Sequence, residues 1–152
     1  MTKQHWLRRW LPALAWAVLI WIFSTDAFSA AHTSRIIEPL LRLLIPGISH
    51  EHLRTAHFLI RKGAHFTEYF VFCLLLYRGL RGQGKGWRWR WAVSAFGLAA
   101  GYSVLDEVHQ SFVASRTASP YDSLLDSIGA MAAMLCCRLW YSWRASRPQP
   151  PS

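Results

Sequence analysis

Apolar side chains collect in four long runs along the chain, and polar residues are confined to the intervals between them. Leu11 to Phe23 is one run, with Pro12 near its start, where a helix tolerates proline. The second becomes wholly apolar after Glu68 and ends near Tyr77. The third carries no charge from Trp91 to Leu105, and the fourth has only Arg138 between Ile128 and Trp140. A helix needs about 20 residues to cross a bilayer, and each run reaches that length with its flanks. The pattern predicts an all-α fold, a four-helix transmembrane bundle with spans at about 8–26, 57–78, 89–108 and 121–142. These spans form one domain over residues 1–145, followed by a proline-rich tail at 146–152 that reads as disordered. Residues 1–10 read as a basic lead.

One interval has a helical pattern of its own. Ile36, Ile37, Leu40, Leu41, Leu44 and Ile45 recur at helical spacing, with Arg35, Glu38 and Arg42 elsewhere around the circumference. This predicts a short helix in the first outer loop, stopped by Pro46-Gly47, which either lies in the membrane interface or packs on the bundle. Ser49, with Glu51 two residues later, is suited to cap the helix that follows.

Charge then orients the bundle. A net charge of +9 and the run Trp87-Arg88-Trp89-Arg90-Trp91 would suit nucleic-acid binding, but the distribution argues against it. All eight acids fall between Asp26 and Asp126. Eleven of the seventeen bases lie in three other places: Lys3, Arg8 and Arg9; Arg78, Arg81, Lys85, Arg88 and Arg90; Arg138, Arg144 and Arg147. Such segments alternating with apolar spans match cytoplasmic flanks, with Trp at the interface. Both termini are therefore expected in the cytoplasm and the acids at the outer face, with no nucleic-acid partner. A basic start, a short apolar core and Ala27-Phe28-Ser29 also fit a cleavable signal peptide, though the length of the run favours a retained span. Cys73, Cys136 and Cys137 lie in apolar runs and imply no disulfide framework.

The candidate chemistry sits at the outer ends. Lys62, His65 and Glu68 share one side of the second span. Asp106, Glu107 and Gln110 share the last turn of the third, and Asp122 and Asp126 share a face of the fourth at i, i+4. Arg116 lies in the loop between the last two spans. An isolated charge inside a bilayer costs at least about 2.5 kcal/mol, so these groups are expected to converge, pair or face a cavity. His109, His57, His50 and His52 read individually as solvated interface residues.

Together the motifs are recognisable. Lys62-x-x-His65-Phe66-x-Glu68-Tyr69, then Asp106-Glu107-x-x-Gln110-x-Phe112-x-x-x-Arg116, then Ser119-x-x-Asp122-x-x-x-Asp126-x-x-Gly129 resembles the VanZ-like family of small membrane proteins. Asp126 stands where that family often has Asn, and Ala114-Ser115 replaces the usual Pro-Gly. The resemblance implies envelope biology, with a link to teicoplanin resistance, and names no reaction.

Three functions compete. In an enzyme acting on a lipid-linked or cell-wall precursor at the outer leaflet, His65 or Glu68 would be the base and an acid of the Asp106–Glu107 pair the proton donor. Lys62 and Arg116 would hold a phosphate or carboxylate, with Tyr69, Gln110, Ser119, Asp122 and Asp126 completing the binding surface. In a binding or transport module the same cavity would hold an envelope lipid or glycopeptide unchanged, with oligomers formed for transport. In a purely structural protein, ion pairs of Lys62 and Arg116 would fix helix register, although two cations cannot neutralise five acids. His65, Glu68, Asp106 and Asp122 could serve as metal ligands, but no HExxH-like spacing is present and the neighbouring cations oppose one, so no metal is expected. Nothing suggests a nucleotide or redox cofactor. Membrane lipids are the expected partners.

Overall fold

In the computed structural model the described residues are 3–26, 29–113 and 119–147, and they form five helices with no strand. The helices are α1 (Lys3–Phe23), α2 (Ala30–Leu44), α3 (His50–Arg81), α4 (Trp89–Ser111) and α5 (Pro120–Ala145). Arg116, Ala114-Ser115, Ala27-Phe28 and residues 148–152 of the tail lie outside the described residues.

Local chemistry fixes the ends. Ser49 caps α3 by accepting the His52 N–H at 3.2 Å, and Glu51 complements the first turn. Pro120 opens α5 at a position where no helical N–H is needed. Gly47 takes φ +85° just beyond α2, a conformation that side chains resist.

From Lys3 onward the basic lead is helical and continuous with the first apolar run. Its Arg9 turns onto the end of α3, donating from Nε to the Gly79 carbonyl and from Nη2 to the Leu80 carbonyl at 3.0 Å. A cation on carbonyls that helix geometry leaves unpaired accounts for the extra turns of α1.

α3 touches each of the other four helices and packs most extensively against α5. Cross-helix pairs give the directions. Lys62 meets Asp122 and Phe66 meets Gly129, so α3 and α5 run parallel. Arg9 meets Gly79 and Trp16 donates to the Glu68 carbonyl at 2.9 Å, so α1 opposes α3. Tyr102 donates to the Ala17 carbonyl at 2.8 Å, and Ser24 reaches Asp106, so α1 runs with α4.

The interior is made of small residues: Ala92, Ala95, Ala99 and Ser103 on α4, Gly129, Ala130 and Ala133 on α5, filled out by Tyr69, Phe72, Cys73 and Leu76 of α3. At Gly129 a Cβ would run into the backbone carbonyl of Phe66, so glycine sets how closely α3 and α5 approach. The large apolar residues face outward, including Leu11, Leu14, Val18, Val93, Leu98, Leu105, Leu124 and Leu135. A soluble protein buries such residues, whereas small residues inside and branched aliphatics outside suit a lipid solvent.

Two helices are apolar and long enough by composition to cross a membrane, Trp6–Phe23 and Pro120–Ala145, with mean hydropathies of 1.2 and 1.3. α3 and α4 do not reach that standard. α3 carries Arg61, Lys62 and Glu68 within its length and α4 ends in Asp106 and Glu107, which dilute their apolar runs.

α2 extends further toward its N-terminus than the apolar repeat at 36–45 indicated. Its apolar residues divide: Ile37 and Leu41 are half-buried, while Ile36, Leu40, Leu43 and Leu44 are exposed. Its principal helix contact is with α3, so it packs on the bundle and still presents an apolar face outward.

Candidate functional site

The C-terminal end of α1, the first half of α3, the C-terminal half of α4 and the N-terminal half of α5 lie at one end of the bundle. Here the structure gathers Lys62 and His65 of α3, Asp106 and Glu107 of α4 and Asp122 and Asp126 of α5 into three small groups.

The first joins α1 to α4. Asp106 is 1 % exposed and accepts from the Ser24 hydroxyl and from the Gln110 side-chain amide, the latter at 3.0 Å. Ser24 and Gln110 are themselves buried, so this carboxyl group is enclosed and satisfied on both oxygens.

The second joins α3, α4 and α5. Asp126 is fully buried, and Ser103 donates to its Oδ2 at 3.0 Å while also lying 2.9 Å from the Ser123 hydroxyl. The other oxygen of Asp126 lies 3.7 Å from His65 Nδ1. Tyr69, wholly buried on α3, lies within electrostatic reach of both Asp106 and Asp126, and its hydroxyl has no hydrogen-bond partner among the described residues.

The third is nearer the surface. Lys62 pairs with Asp122 in a bridge whose side chains are 26 % and 19 % exposed, and the ammonium also lies 5.3 Å from the centre of the Phe58 ring. Glu107 accepts the Ser119 N–H through Oε2 at 2.8 Å, fastening the end of α4 to the start of α5. Its Oε1 is buried and has no hydrogen-bond partner among the described residues.

Two clefts reach this end from different sides. One, about 130 Å³, lies between α1, α2 and α3 and is lined by Phe23, Ile37, Ile60, Arg61, His65 and Glu68. The other, about 410 Å³, lies between α4 and α5 and is lined by Val104, Glu107, Ser111, Ser119 and Ser123. His65 and Glu68 therefore open to one cleft and Glu107 to the other. Residues that helical spacing merely places at one end are divided by the packing of α3 and α4.

Of the residues singled out from sequence, Lys62, His65, Tyr69, Asp106, Glu107, Gln110, Ser119, Asp122 and Asp126 come together in these groups, and Glu68 lines the α1–α2–α3 cleft. Arg116 lies outside the described residues. Ser24, Ser103 and Ser123 were missed. Ser103 precedes Asp106 by three residues in an otherwise apolar helix and so shares its face, which is the signal that could have found it. Ser24 gives none, being one of several polar residues that end the first apolar run.

Two histidines are less solvated than their positions suggest. His109 is half-buried and stacks on Trp21 with ring centres 3.8 Å apart, because the parallel course of α1 and α4 brings the indole over it. His57 is half-buried and its Nε2 lies 3.2 Å from the Thr33 hydroxyl, tying α2 to α3. Among the described residues no three His, Cys, Asp or Glu side chains are grouped so as to hold a metal ion.

The arrangement can therefore do two chemical things. His65, backed by Asp126 and beside Glu68, can accept or deliver a proton at one cleft, and the Lys62–Asp122 bridge offers a cation that an incoming anion could compete for. No curated protein and no solved structure matches the chain. The VanZ/LLP1 family does, over residues 9–141, which takes in all five helices save their outermost turns at the two ends of the chain. With small residues inside, aliphatic residues outside and the Lys62-to-Gly129 motifs gathered at one end of the bundle, this chain belongs to the VanZ/LLP1 family of membrane proteins.

Proposed function

We propose that the chain is a multi-pass protein of the inner, cytoplasmic membrane in which α1, α3, α4 and α5 cross the bilayer with both termini in the cytoplasm. α2 lies at the outer interface. The helices are about 32, 48, 35 and 39 Å long at 1.5 Å per residue, each sufficient for a hydrocarbon layer of about 30 Å. The polar end faces away from the cytoplasm, because the arginine-rich turn between α3 and α4 and the C-terminal arginines mark the other side.

The site at that end acts on a lipid-linked or cell-wall precursor, which would connect the protein to glycopeptide resistance. The observation that carries this reading is a histidine paired with a buried carboxyl group, His65 with Asp126, beside a half-buried Lys62–Asp122 bridge, in a bundle whose surface is apolar. Burying ionisable groups in such a place has a cost that structure alone would avoid with apolar residues. His65, oriented by Asp126, is the base, with Glu68 beside it. Lys62 holds the anionic group of the precursor. Glu107 is the proton donor in preference to Asp106, since Asp106 is closed off by Ser24 and Gln110 whereas Glu107 lines the α4–α5 cleft and its Oε1 has no hydrogen-bond partner among the described residues.

The test replaces His65 with Ala and Glu107 with Gln, and follows membrane protein level, teicoplanin susceptibility and the mass of lipid-linked precursors incubated with purified protein. Loss of a mass change and of resistance at undiminished protein level is expected. Full activity in both variants would refute the assignment.

The separation of His65 and Glu107 between two clefts favours a second reading, in which the end of the bundle binds an envelope lipid or glycopeptide without altering it. In that case no precursor changes mass, and the same variants lose binding alone.

A further inference from the structure

At the opposite end of the bundle a cleft of about 280 Å³ opens between the start of α4 and the second half of α5. Its walls are apolar, formed by Trp87, Trp89, Val93, Phe96 and Leu135, and its one charged lining residue is Arg138. The Arg138 guanidinium lies 6.0 Å from the ring centre of Trp87 and 5.7 Å from that of Trp89, so the two indoles hold the cation at the cleft. Arg138 has no carboxylate partner among the described residues. Every acid of the sequence lies between residues 26 and 126, those of α4 and α5 are at the far end of their helices, and the nearest acid of α3, Glu68, lies at its middle.

An apolar slot with a cation at its edge meets the requirements of one kind of molecule, an acyl chain that carries an anionic head. We infer that this cleft binds an anionic glycerophospholipid, with one acyl chain along Val93, Phe96 and Leu135 and the phosphate on Arg138 at its edge. A zwitterionic lipid offers the same chain but cancels much of the attraction to the arginine. The clustered Arg81, Arg88 and Arg90 add to the positive field without entering the cleft. The inference rests on the membrane reading above, and it is independent of the chemistry at the other end.

The test is native mass spectrometry of the full chain released from detergent micelles containing equal dioleoyl phosphatidylglycerol and dioleoyl phosphatidylcholine. One arginine at the membrane surface corresponds to about a fivefold preference for the anionic lipid. Arg138→Gln, at an exposed position, should bring the two lipids near parity, and Val93→Phe should lower retention of phosphatidylglycerol by filling the slot. Equal retention by the unaltered chain, an undiminished preference in Arg138→Gln, or undiminished retention in Val93→Phe would each overturn the proposal. So would a dimer, seen without lipid and lost in Val93→Phe, which would assign the cleft to a second copy. Recovery of the chain in the aqueous fraction after carbonate washing would overturn the membrane reading itself. A membrane-retained chain with no lipid preference overturns only this inference.

Discussion

Asp106 offers the sharpest separation of architecture from chemistry. Its carboxyl group receives one donor from Ser24, just past the end of α1, and one from its own helix, Gln110, and all three side chains are buried. Changing Asp106 to Ala strands both donors in a place water does not reach. An orphaned buried polar group costs about 1–3 kcal/mol, and membrane helices recover part of that by finding other partners, so a loss of about 2–4 kcal/mol is expected. Changing Asp106 to Asn should cost far less. The amide oxygen can still accept from Gln110, and the amide nitrogen can donate to the Ser24 hydroxyl, which serves either role. Reversible unfolding in mixed micelles, followed by circular dichroism, measures both. A decisive addition is Ser24→Ala made in the Asp106→Ala background, where removing the stranded hydroxyl should recover part of the loss. The reasoning fails if Asp106→Ala is as stable as the parent, or if Asp106→Asn falls as far as Asp106→Ala. If the chain confers the resistance proposed above, its retention in Asp106→Asn would support a positioning role for Asp106, whereas its loss at full stability would return Asp106 to the proposed chemistry.

Other consequences follow from single contacts. Gly129→Ala should destabilise the bundle by about 1–3 kcal/mol in the same assay, because the added methyl meets the backbone of Phe66, which cannot rotate away. Arg9→Gln should raise hydrogen exchange at residues 79–82 and cost about 1 kcal/mol, since the end of α3 loses the cation on its carbonyls. In a double-mutant cycle, Lys62→Met and Asp122→Asn should show a coupling of about 0.5–1 kcal/mol that shrinks as salt is added, the bridge being partly exposed. Unchanged stability in Gly129→Ala, unchanged exchange in Arg9→Gln, or strict additivity in the cycle would contradict the corresponding contact.

The sequence made the helices legible because apolar run length is a nearly one-dimensional property, and Ser49, Pro46-Gly47 and Pro120 mark their ends by known local chemistry. It also placed the polar residues at matching helix ends, since charge alternation dictates that much. Which residues pair was not legible. Asp122 and Asp126 share a helix face, yet one turns to Lys62 and the other to His65 and Ser103, a choice made by the register of α3 against α5. That register is set by Gly129 against Phe66, a backbone contact with no periodic signature. The extra turns of α1 were hidden for a related reason. Arg9 looks like an ordinary flanking charge until α3 supplies the carbonyls it holds.

The parallel pairing of α3 with α5 has a consequence for biogenesis. If the helices cross the bilayer as proposed, a chain threaded in one segment after another presents Lys62 and His65 early, while Asp122 and Asp126 are still being synthesised. Until the last segment docks, the hydrophilic flank of the central helix faces either lipid or a chaperoning insertase. A nascent protein halted before residue 120 should thus be held by that machinery or degraded, and only the finished chain released.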